Sequence, residues 1–166
     1  MSLGVRIKID ADSGVLPALA KLALERDDKT ALLDEIGINL TENARLRFGD
    51  QLSPNGQQWK PSLRAKLQGG ETLRDTGRLM ASITHRVAGD SVEYGTNVDY
   101  APYLHFGADI KAVDGAYLTF KIPGGGWVSK KSVTLPPRPF LGLSTEDEET
   151  VISIIGSFLK VQRATQ

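Results

Sequence analysis

Few residues in this chain are equipped for chemistry. His85 and His105 are the only histidines, and cysteine is absent. A centre of two histidines and one carboxylate would have to recruit Asp99 or Asp109, yet the histidines lack the tight spacing that metal ligands on one element show. Ser82 and His85 share one short segment that offers neither a nucleophile elbow nor an oxyanion loop, so serine hydrolysis has no support. Gly124-Gly125-Gly126 is followed by no Lys-Ser/Thr and lies between two strand-like runs, where glycine serves a turn rather than a phosphate cradle. Without cysteine there are no disulfides, thiolate metal sites or cysteine nucleophiles. A non-enzymatic protein with no metal and no cofactor is expected.

Charge narrows the partners. Twenty basic residues balance twenty acidic ones, so net charge draws the whole molecule neither to nucleic acid nor to an anionic membrane. Locally, Lys60, Arg64, Lys66, Arg74, Arg78 and Arg86 outnumber Glu71 and Asp75. A nucleic-acid-binding module would interleave such a patch with stacking aromatics, and only Trp59 is within reach, so a solvated or protein-contacting rim is favoured. Specific nucleic-acid binding is not expected, but it stands as the alternative function. At the other end, Glu146-Asp147-Glu148-Glu149 is acidic. Opposite patches on a neutral molecule suit head-to-tail association, although Asp147 and Glu148 are better suited to serving their own helix start.

The elements that must carry these residues follow from periodicity. At 166 residues and 18.0 kDa the chain has the size of one domain. Val5 to Asp10 alternates apolar and charged residues and predicts an edge strand. Val15 to Asp28 has helical spacing, and Leu33, Ile36, Leu40 and Ala44 form the stripe of a second helix ending near Phe48-Gly49. Residues 50–72 hold Pro54, Asn55-Gly56, Pro61 and Gly69-Gly70 with few apolar anchors, which predicts a long flexible arm, either an interaction element or a surface loop pinned by Trp59. Asp75 or Thr76 caps a short helix, and residues 83–87 and 91–96 form one hairpin. Residues 117–122 and 127–133 form another. Thr145 with Glu148 predicts a capping box at the head of a closing helix over 144–162. The sum is an α+β fold: an antiparallel sheet of four to five strands packed by three to four helices. No apolar run is long enough to cross a membrane and no signal pattern opens the chain, so a reducing cytoplasm is the expected home.

Asp75-Thr76-Gly77-Arg78-Leu79-Met80-Ala81-Ser82-Ile83, Gly95-Thr96, Tyr100-Ala101, His105-Phe106-Gly107 and Pro137-Arg138-Pro139-Phe140-Leu141-Gly142, taken in that order and with Phe48, Gly56 and Trp59 before them, resemble the Mu-like phage virion morphogenesis family, also described as tail completion proteins. The resemblance implies a structural role in phage or prophage assembly, completing the tail or joining it to the head. It also implies partners among tail and head-tail connector proteins, a ring of copies, and residence in the host bacterial cytoplasm before the virion. Interface anchors suited to that role are Trp59, Arg64, Arg74, Arg78, Tyr100, Tyr103, Arg138, Phe140, Glu146 and Glu149. Tyr100 and Phe140 are equally suited to plugging the domain's own core.

Overall fold

The computed structural model describes residues 4–10 and 26–164. The helix expected over Val15–Asp28 therefore lies almost wholly outside the described residues. Helix α1, Arg26–Asp50, runs for 25 residues, about 37 Å at 1.5 Å per residue. Its buried side is an unbroken stripe of Leu32, Leu33, Ile36, Leu40, Ala44 and Phe48. That stripe covers one face of a three-stranded antiparallel sheet of order β1-β3-β2, built from β1 (Val5–Asp10), β2 (Thr84–Ala88) and β3 (Ser91–Thr96). Val5, Ile7 and Ile9 stand beside Thr96, Tyr94 and Val92 and face the helix. Arg6, Arg86 and Glu93 lie on the opposite face, where Arg86 and Glu93 are cross-strand partners paired at 2.7 Å. Helix and sheet approach so closely at Gly37 that a Cβ there would fall 2.3 Å from the His85 ring. Only glycine allows the sheet to seat at this depth.

The expected sheet of four to five strands is instead divided. β4 (Ala108–Lys111) pairs with β7 (Ser132–Leu135), and β5 (Leu118–Lys121) pairs with β6 (Trp127–Lys130), each as a separate two-stranded ribbon. The run read as one strand over 127–133 breaks at Lys131, and its two halves serve different partners. These ribbons offer no apolar face wide enough to join the main sheet: β6 carries only Val128 even half-buried, and Trp127 at its start is 72% exposed.

Five helices are described, three of them short: α2 (Leu63–Gln68), α3 (Arg78–Ala81) and α4 (Ala101–Phe106). α3 follows Gly77 rather than Asp75 or Thr76, and the Thr76 hydroxyl accepts the Arg78 amide at 3.3 Å. α4 ends at Gly107, with φ 77° and ψ 167°. A Cβ at that glycine would meet the Leu135 carbonyl and the Pro137 nitrogen at 2.8 Å each. The closing helix α5, Thr145–Ala164, packs against α1 through Val151, Ile154 and Ile155.

The 50–72 segment is pinned by Trp59, one of the two readings its sequence allows. It carries α2, and Trp59 in it is only 4% exposed. The Trp59 indole donates to the Pro139 carbonyl at 2.8 Å and its ring meets Phe48 edge-on at 5.4 Å. Gln51 accepts the Thr72 amide through its side chain, closing the base of the segment. Glycine and proline punctuation looks like slack in a sequence, yet here it shapes turns around one buried anchor.

Candidate interaction site

Two surfaces of opposite charge emerge from this framework. The first is the head of α5. Its box is Ser144 with Asp147, one residue earlier than Thr145 with Glu148: the Ser144 hydroxyl accepts the Asp147 amide at 3.1 Å, and the Asp147 carboxylate accepts the Ser144 amide at 2.8 Å. Asp147 is 1% exposed because α1 reaches it, with Asn43 donating at 2.9 Å and Arg47 forming a buried ion pair. Arg47 also donates to the Gly142 carbonyl at 3.2 Å. Tyr94 donates to that carbonyl at 2.9 Å, so the chain entering α5 is held from helix and sheet together. Burial raises the Tyr94 phenol above the usual tyrosine value. With Asp147 turned inward, Glu146, Glu148 and Glu149 remain exposed, and among the described residues none of them is ion-paired.

The second surface is a cavity of about 660 Å³ between the 60–66 segment, α3, α4 and β7. Leu79, Leu104, Leu135 and Pro136 contribute apolar lining, and Lys60, Arg64, Lys66, Arg78 and Arg138 contribute cations. Asp75 is the one carboxylate in the lining, and Arg64 stands 3.6 Å from it. Arg64 further donates to the carbonyls of Glu71 and Arg74, so it braces the wall. Arg138 is 5% exposed; its Nε donates to the Lys60 carbonyl at 2.8 Å. Burial draws its guanidinium below the usual arginine value, although it remains charged.

The anchors expected from sequence divide between core and surface. Trp59, Phe140 and the stem of Arg138 are buried: Phe140 lies between Phe48 at 5.6 Å and His105 at 5.0 Å. His105 accepts the Phe140 amide at Nδ1, 3.4 Å away, and burial lowers its pKa from the ordinary 6.5. Tyr100 and Tyr103 are exposed, and Tyr100 lines the cavity mouth with Arg78. Arg74 is spent locally on Glu71 at 2.7 Å. Glu146 and Glu149 belong to the other surface. Sequence reasoning did not single out Arg47, although a cation spaced with Ala44 and Leu40 on an apolar stripe signals a buried counter-charge.

Across residues 10–160 the chain matches the model of the phage virion morphogenesis family. It belongs to that family. The Mu-like prophage FluMu G protein 2 of Haemophilus influenzae is 27% identical over 157 residues, which span 95% of this chain and 97% of that protein. No solved structure matches the chain. A virion morphogenesis protein acts in building phage particles, so its informative surfaces are those that can meet other proteins. Among the described residues no group of histidines and carboxylates could hold a metal ion, and no helix is long and apolar enough to cross a membrane.

Proposed function

We propose that this chain is a non-enzymatic structural component of a phage or prophage particle that completes the tail or joins tail to head. The family match along nearly the whole chain carries the reading. The geometry is compatible with it: a rigid helix-on-sheet body presents a basic cavity, an acidic helix start and exposed Tyr100, Tyr103 and Phe106, and none of these needs a transition state to act on. Its partners are other tail or connector proteins and further copies of itself, met in the host cytoplasm and retained in the virion. Exposed ion pairs contribute only about 0–1 kcal/mol each, so such contacts hold a ring only together with apolar anchors. The experiment is an induced lysate from a lysogen with the gene disrupted. Unjoined heads and tails should accumulate under the electron microscope, and the intact gene supplied in trans should restore joined particles that contain the protein. A normal yield of joined, infectious particles without the gene would overturn the proposal.

A further inference from the structure

We propose that the cavity around Arg138 receives the acidic face of α5 from a second copy of this chain, with Glu146 and Glu149 reaching toward the cationic lining and Ile152 covering the apolar part. The inference deepens the self-assembly part of the function proposed above and rests on it.

Three observations carry it. Arg138 is buried, yet its Nε bond to the Lys60 carbonyl is the side-chain hydrogen bond it makes, and among the described residues no carboxylate lies within ion-pair distance of it. Its stem is buried while the terminal nitrogens of the guanidinium open to the cavity with no anion of the described residues against them, and a carboxylate presented to that planar fork would form a charge-assisted, two-bond pair. The rim repeats the imbalance. Lys60, Lys66 and Arg78 are exposed, and among the described residues none has an ion-pair partner. The complementary surface is on the same chain. Glu146, Glu149 and Ile152 follow one another at helical i, i+3 spacing, all exposed, so one face of α5 offers two acids and then an apolar group 54% exposed. Basic rim and apolar floor thus meet acidic and apolar groups in kind.

The concave shape of the site and its lining favour a protein over a nucleic acid as occupant. A glutamate on a narrow helix can extend its side chain into a recess, whereas duplex phosphates ride on a broad convex surface and select protruding cations. Tyr100 is the lone aromatic ring of the lining, too little for a run of stacked bases. Since the contact joins one surface to a different one, it is heterologous and can propagate into a ring.

The absence of cysteine provides a clean test. Thr76→Cys at the cavity and Ser153→Cys beside Ile152 each carry the sole thiol of their molecule, and the two full-length variants are mixed at high concentration with a short bis-maleimide. Mixed dimers should exceed both homodimers and the yield with a Gln57→Cys control, and they should fade in high salt. Glu146→Lys with Glu149→Lys in the Ser153→Cys protein should abolish them, and Lys66→Glu with Arg78→Glu in its partner should restore them. Arg138→Gln should lower the yield about tenfold or more, with Arg138→Lys intermediate. Because Arg138 also braces Lys60, melting curves accompany these variants, and the exposed charge swap decides the matter independently. Mixed dimers no more abundant than the control, or indifferent to the swaps, would overturn the contact. Salt-sensitive duplex DNA binding lost in Lys66→Glu/Arg78→Glu without any mixed dimer would overturn it in favour of a nucleic acid. Either failure leaves the assembly role standing, since unjoined heads and tails in the gene-disrupted lysate are scored separately.

Discussion

Replacing Asp147 with alanine should be among the most damaging single changes in the molecule, although its position amid four consecutive acids suggests a dispensable surface charge. Its carboxylate accepts from Ser144 and Asn43 and is ion-paired with Arg47, whose side chain is 10% exposed. Removing it leaves Arg47 buried with only the Gly142 carbonyl and the Ser144 hydroxyl as acceptors. Breaking one side of such a pair costs about 3–5 kcal/mol. For a domain of this size each kcal/mol moves the melting temperature by about 2–4 °C, so Asp147→Ala should melt about 6–20 °C lower. Urea unfolding gives the free energy directly. Glu148→Ala, one residue on and exposed, should stay within about 0.5 kcal/mol of the parent. Removing both charges in Arg47→Met/Asp147→Ala should recover much of the loss, so the double-mutant cycle closed with Arg47→Met should show a coupling of about 2 kcal/mol or more. If Asp147→Ala and Glu148→Ala prove equally mild, or the coupling is near zero, the buried clamp between α1 and α5 is wrong.

Stability should fall on acidification through His105: its folded pKa lies below the ordinary 6.5, so the unfolded chain takes up a proton first, and stability is complete above that value and lost as pH drops toward the folded one. The urea midpoint should therefore decline between about pH 7.5 and 5.5, and His105→Asn should flatten that slope. Gly107→Ala should cost about 1–3 kcal/mol, because its backbone angles are open essentially to glycine alone; native stability in that variant would refute the assigned geometry. In hydrogen exchange on the isolated protein, the hydrogen-bonded amides of Trp59 and Thr72 should be slower than those of exposed Gly69 and Gly70. Uniformly fast exchange from 50 to 72 would restore the reading of that segment as a mobile arm.

Local pattern made much of the fold legible. Alternation at Val5–Asp10 and Thr84–Ala88 marks two strands because one face of each turns to the core while the other is more open to water, whereas the central Ser91–Thr96 is buried on both faces and is marked by the Gly89-Asp90 turn before it. The stripe through Leu33, Ile36, Leu40 and Ala44 announces α1 for the same reason. Non-local choices were not legible. Ser144-x-x-Asp147 and Thr145-x-x-Glu148 are equally good boxes on paper, and the earlier one forms because Arg47, 100 residues away from Asp147, supplies a buried counter-charge. Nothing near Ala108–Lys111 says that its partner is Ser132–Leu135, so the strand pairing and the sheet count were lost together. Aromatic identity at Trp59 and Phe140 suits core and interface alike; the row from Trp59 through Phe48 and Phe140 to His105 exists only once the chain is folded. The basic residues of the candidate site were readable as a cluster, but the concavity that gathers them was not, since it needs the 60–66 segment, α3, α4 and β7 at once.

The two tryptophans sit in opposite optical environments. Trp59 is sealed against Phe48, whereas Trp127 stands in solvent on a ribbon whose extensive contacts are with its own other strand. Emission from the first reports whether the body is intact, and emission from the second reports what lies against the ribbon. A soluble quencher would reach Trp127 and spare Trp59, so the quenchable fraction of the light divides folding from docking without any attached dye. Trp127→Phe isolates the inner signal. In a stopped-flow mixing of the protein with tails, loss of quenching at constant inner emission would time the moment the ribbon is covered, on a molecule that has not otherwise changed shape.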